Sequence, residues 1–187
     1  MLPDRANPQP ADIEAWLAEL DVAPLNRVER DGVVAWDLTL DGRRRFDIRI
    51  TLILDPELGL VSWVHFAPPI GDGFRRSYRM LLRWNDEYPF VKFALAEDGR
   101  PILSTEIPAR LADVDELGLA LARSVAICDA LLAESAGWLW IGGRIPATDG
   151  RVGRNDALLS RFATRLPELA AADPAFEALG TGPESIT

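Results

Sequence analysis

A single cysteine, Cys128, and a single histidine, His65, limit the chemistry open to this chain of 187 residues. One thiol rules out an internal disulfide, and one imidazole rules out clusters of histidine ligands and catalytic arrangements that need a second histidine. No uninterrupted apolar run is long enough to span a bilayer. The opening Met1-Leu2-Pro3-Asp4-Arg5 lacks the apolar stretch of a secretory signal, which sets the expectation of a cytoplasmic protein with no membrane partner. Basic residues are also in short supply: 20 Lys and Arg against 29 Asp and Glu leave a formal net charge of -9, the wrong sign for a phosphate backbone. Direct nucleic-acid binding is therefore not expected.

Hydrophobic periodicity supplies the positive signal. A chain of this length buries about 70% of its unfolded surface, enough for one core without disulfide or metal support. Residues 1–10 carry three prolines and little to bury, and read as a loose arm. Ile13, Trp16, Leu17 and Leu20 recur at helical spacing up to Pro24. Val34, Trp36, Leu38 and Leu40 alternate, Asp41-Gly42 gives a turn signal, and Phe46, Ile48, Ile50, Leu52 and Leu54 alternate back against Asp47, Arg49 and Thr51. Leu60 to Ala67 is apolar on both faces, which fits a strand covered twice or one left partly open for a partner. A helix is predicted after Asp72, with Phe74, Tyr78, Leu81 and Leu82 apolar, ending by Tyr88 ahead of Pro89. Strands over Val91 to Leu95 and Leu103 to Ile107 follow. Asp113 with Glu116 opens a long helix along Leu117, Leu121, Val125, Cys128 and Leu132, with Gly137 placed for its end.

The order α-β-β-β-α-β-β-α, with tight turns, predicts an α+β fold: an antiparallel sheet of about five strands with helices packed on it. The helix ending in Leu81-Leu82-Arg83-Trp84-Asn85, the strands Val91 to Leu95 and Leu103 to Ile107, and the closing helix Val114 to Leu132 resemble YbjN-like proteins and the related type III secretion chaperone-like fold. The resemblance covers residues 11–135. It implies a homodimeric, non-enzymatic protein that holds or helps another protein. Residues 136–187 are a C-terminal extension expected to pack on this domain or on a sister subunit, with the last residues, from Gly180, disordered.

Candidate sites favour contact over catalysis. Gly137-Trp138-Leu139-Trp140-Ile141-Gly142-Gly143 reads as a sixth strand or a core plug, or as an interface segment. Asn155 is placed to cap a short helix holding Leu158, Leu159, Phe162 and Leu166. His65 between Trp63 and Phe66 reads as an ordinary strand residue, and Cys128 on an apolar stripe as a buried, inert thiol. Asp86 with Glu87, and Asp113 with Asp115 and Glu116, contain acid/base groups, but helix-terminal charge accounts for the second set. Gly71-Asp72-Gly73 with Arg75 and Arg76 is a weak anion motif opposed by Asp72. Arg75, Arg79 and Arg83 form a basic stripe that either pairs with the chain's own carboxylates or reads an acidic partner. No catalytic residue, cofactor or metal is assigned. The expected function is a chaperone-like or adaptor and regulatory module, a homodimer binding a protein partner through Trp63, Tyr78, Arg75, Arg79, Arg83, Trp138 and Trp140. The competing reading is a small-ligand- or phosphate-binding protein, or an enzyme, using a pocket between helix and sheet.

Overall fold

The computed structural model describes residues 7–70, 75–147 and 150–167. The Asp72 cap, Phe74, the Gly71-Asp72-Gly73 motif, most of the N-terminal arm and the expected disordered tail lie outside the described residues, as does the Arg75 side chain.

The fold is α+β, with helices on one face of a fully antiparallel sheet. Helix α1 (Pro10–Glu19) starts on Pro10, whose fixed φ suits a first turn, and Asp12 Oδ2 accepts the Gln9 N–H at 2.8 Å. It ends at Glu19, earlier than Pro24 suggests. Strands β1 (Asn26–Arg30), β2 (Val33–Leu40), β3 (Ile48–Asp55) and β4 (Gly59–His65) follow as a meander, then α2 (Arg75–Glu87), β5 (Lys92–Leu95) and β6 (Pro101–Ile107). The spatial order is β1-β2-β3-β4-β6-β5. Six strands form rather than about five, the extra one being β1 at the edge. Its sequence NRVER holds one apolar residue and is exposed throughout, so periodicity is blind to it. Its charges blunt the edge against adding another strand.

Between β2 and β3 the chain makes no tight hairpin. Residues 41–47 form a loop, and Phe46, expected in the strand, lies outside it with the Arg151 guanidinium 4.5 Å from its ring centroid. Helix α3 (Val114–Ala130) opens with the Asp113 carboxylate accepting the Glu116 N–H at 2.9 Å, and buries Leu117, Leu121, Val125 and Cys128. It does not run to Gly137. The chain kinks at Leu131 and continues as α4 (Leu132–Leu139), which contains Gly137 and Trp138, and a 3-10 turn (Ile141–Gly143) follows. The tryptophan-rich segment is therefore the end of a helix and a turn, not a strand. Trp138 does join the core margin: its ring lies 5.4 Å from Trp84 and 6.2 Å from Phe66. Helix α5 (Asp156–Phe162) buries Leu158, Leu159 and Phe162 against α3.

Every strand but β1 sends one alternate set of side chains into a common core, including Trp36, Leu38, Ile50, Leu52, Val64 and Leu103. Val61 and Ile102 are buried but stand outside that core, because they point to the opposite face. That opposite face is the site of interest.

Candidate functional site

Register fixes what the second face presents. One row across the strands reads Val28, Ala35, Ile53, Val61 and Glu106. The next reads Asn26, Asp37, Thr51, Trp63, Ser104 and Lys92. A third carries Thr39, Arg49, His65, Ile102 and Ala94. Trp63 is 43% exposed and Val28 51% exposed, so apolar area stays in contact with water at the middle and one edge of the face. Central position in the sheet and partial exposure thus coexist in β4.

The polar groups on this face are linked. Thr51 Oγ1 donates to Asp37 Oδ1 at 3.1 Å and lies 3.0 Å from His65 Nε2. With its only proton given to Asp37, the Thr51 hydroxyl must accept from His65, which assigns the imidazole proton to Nε2. The lone pair on Nδ1 then faces Arg100 Nη1 at 3.5 Å, while Arg100 Nε holds Asp98 Oδ2 at 2.6 Å. Burial, reinforced by the Arg100 and Arg49 charges, holds His65 below its ordinary pKa. The line Asp37-Thr51-His65-Arg100 contains the residue types of a nucleophilic triad in the wrong order. The carboxylate contacts the hydroxyl instead of orienting the imidazole, so this arrangement does not set His65 up as a base for Thr51.

At the end of this face, Asp37, Thr39, Arg49, Thr51, His65 and Arg100 meet Arg45 and Phe66 around a cavity of about 510 Å³. Arg45 is only 8% exposed. Its Nη2 donates to the Phe66 carbonyl and its guanidinium carbon lies 5.0 Å from the Phe66 ring centroid, but Nη1 has no hydrogen-bond partner.

Two buried carboxylates shape the loop that presents Arg45. Asp129, near the end of α3, accepts the backbone N–H groups of Arg43 at 2.6 Å, Arg44 at 3.2 Å and Arg45 at 2.7 Å. Burial pushes its carboxyl above the ordinary value, opposed by those three amides. Asp41 accepts from Arg154 Nε at 2.7 Å and Nη2 at 2.8 Å and from the Asp47 N–H at 2.8 Å. Arg154 holds Asp41 far below the usual carboxylate range against the cost of burial, with the Asp47 and Arg154 amides assisting. Asn155 does not cap α5 with its side chain; its Oδ1 accepts the Asp41 N–H at 2.9 Å.

The residues expected to contact a partner do not converge. Trp63 lies on the second face, whereas Tyr78 and Trp138 pack against the core margin. Arg83 pairs with Glu87 at 2.9 Å and with Glu134 of α4 at 2.6 Å, tying α2 to α4. Arg79 is exposed. Trp140 is half-buried beside Phe46, Arg44 and Arg151. Leu82, expected on the apolar side of its helix, is 70% exposed. Burial pushes the Cys128 thiol up to about 11, leaving it protonated and unreactive at neutral pH. Asp37, Arg45, Arg49, Thr51 and Arg100 were not singled out by sequence. The alternation of β3 had placed Arg49 and Thr51 on a polar face, and that was the available signal.

Among the described residues no group of three or more His, Cys, Asp and Glu is placed to hold a metal ion, and no helix is long and apolar enough to cross a membrane. Residues 9–135 match the model of the family YbjN, described as "Putative bacterial sensory transduction regulator". No curated protein and no solved structure matches the chain.

Proposed function

The chain belongs to the YbjN family, and on that premise we propose a non-enzymatic cytoplasmic regulator that works by binding protein, as a homodimer and as a chaperone-like adaptor for a client. The observation that carries this reading is the second sheet face, where Trp63 and Val28 stay exposed beside Ile53 and Val61. Six strands about 4.8 Å apart and some seven residues long offer roughly 500–600 Å² in projection. That approaches the area of about 800 Å² per partner in a standard interface, so this face would supply most of one. A half-exposed tryptophan at its centre fits the residue type that dominates binding energy at such surfaces.

The basic stripe is secondary here. Arg83 is engaged within the chain, and Arg79 forms no ion pair among the described residues. The test is sedimentation of the wild type against a Val28→Asp/Trp63→Asp variant with an unchanged circular dichroism spectrum. A wild-type dimer at high micromolar concentration that becomes monomeric in the variant supports the reading. A monomeric wild type, or a variant dimer as tight as the wild type, defeats it.

A further inference from the structure

Arginine keeps its proton in proteins, so burial of Arg45 leaves a cation that cannot escape by titration. Buried charges are ordinarily neutralised by a counter-charge. Arg45 has none: its contacts are a neutral carbonyl and an aromatic ring, and among the described residues it forms no ion pair. The nearby Asp129 carboxylate is committed to the backbone amides of residues 43–45.

The cavity that Arg45 lines repeats this imbalance. Arg49 and Arg100 join it, against Asp37 as the lining carboxylate. Asp37 already accepts the Thr51 hydroxyl, and Arg49 has no ion pair among the described residues. Asp98 offsets Arg100 alone. A positive cavity on a chain of net charge -9 is not a by-product of composition. Burial, with the Arg100 and Arg49 charges, holds His65 below its ordinary pKa, so at neutral pH it contributes shape and a hydrogen-bonding edge in place of a charge. Leu25, Pro68 and Leu139 add apolar wall. The volume of about 510 Å³ falls in the range of small-molecule sites and is too small for a folded partner.

We propose that this cavity binds a small organic anion, whose carboxylate or phosphate head meets Arg49 and Arg100 with the Arg45 charge at its wall, and whose body lies against Leu25 and Leu139. Planar guanidinium groups match both oxyanions in a forked geometry, which is why arginine and not lysine suits the position. The site would give a regulatory protein an input, but it does not depend on the protein-binding reading, since the isolated chain should bind the anion without a partner.

The experiment is calorimetric titration of the full chain with citrate, as a carboxylate probe, and with pyrophosphate, as a phosphate probe, each against sodium chloride at matched ionic strength. Saturable binding of one probe per chain is expected, and which probe binds identifies the head group. Arg49→Gln, at an exposed position, should weaken that binding about tenfold, the loss of one charge-assisted contact, while the ligand-free melting temperature stays at the wild-type value. Arg76→Gln, on the basic helix α2, should bind as the wild type does. The proposal fails if neither probe binds beyond the salt control, if Arg49→Gln binds like the wild type, or if Arg76→Gln is the variant that loses binding.

Discussion

Asp41 and Arg154 stand 113 positions apart and meet through a fork, Nε to Oδ2 at 2.7 Å and Nη2 to Oδ1 at 2.8 Å. The carboxylate is inaccessible to water although it sits near the surface, because Arg151 and Arg154 roof it. This contact fastens the segment after α4 to the loop between β2 and β3, the same loop that carries Arg45.

Replacing Asp41 with Asn keeps the shape and removes the charge. The loss should be about 2 kcal/mol, below the 3–5 kcal/mol of a fully buried pair because both arginines remain half in solvent. The folded pKa of Asp41 lies below its unfolded value of 3.8, so its contribution is present above that value and disappears as pH falls through the folded one. Urea unfolding followed into acid should show the wild type losing more stability than Asp41→Asn. Parallel acid curves would contradict this.

Gly42 and Gly118 mark two close approaches. A Cβ on Gly42 would meet the Asp129 carboxylate at 2.4 Å, and one on Gly118 would meet the Phe162 ring at 2.5 Å and Leu20 at 2.8 Å. Gly42→Ala should cost about 1–3 kcal/mol by overpacking. Gly118→Leu should cost at least as much and expel α5, detectable as faster hydrogen exchange over residues 156–162 with the sheet still protected.

His65 should titrate below the ordinary histidine value of 6.5. The unfolded chain then binds the proton first, so this stability is present above 6.5 and is lost as pH falls through the lower, folded pKa. An imidazole titration by NMR reads the midpoint directly. His65→Gln should flatten the corresponding part of the stability curve, and a midpoint at or above the free value would refute the assignment.

Trp63 and Trp84 separate surface from core. Trp84 is fully buried among Phe66, Phe93 and Trp138, and Trp84→Ala should cost about 3–5 kcal/mol. Trp63→Ala should cost the monomer about 1 kcal/mol or less. Thermal and urea unfolding of the two variants side by side decide the matter; equal losses would mean that Trp63 is core.

The elements legible in the sequence were those whose burial repeats at short range. Val34 to Leu40 and Ile48 to Leu54 alternate because one face is packed, and Leu117 to Cys128 reads as a helix although α3 is buried nearly all round, between the sheet and the helices α1 and α5. Where that cause is missing, reading failed. β1 is an edge strand exposed on both faces, and its pairing to β2 leaves no hydrophobic trace. The break at Leu131 falls in an unbroken Leu-Leu pair, between two stretches that both favour helix. Nothing local distinguishes Asn155 as a cap from Asn155 as an acceptor for an amide 114 residues away.

Local periodicity thus determined an α+β chain with a sheet packed on one face, and the alternation that buries Leu38 and Ile50 also placed Arg49, Thr51 and Trp63 on the other. Only the tertiary structure decided that Arg45 is buried without a counter-charge, that Asp129 shapes its loop, and that Arg49 and Arg100 share its cavity. The pattern of burial is written in neighbouring residues because water acts on each side chain locally. The meeting of charges from two loops, a strand and a helix end depends on how those elements pack, and no spacing along the chain records it.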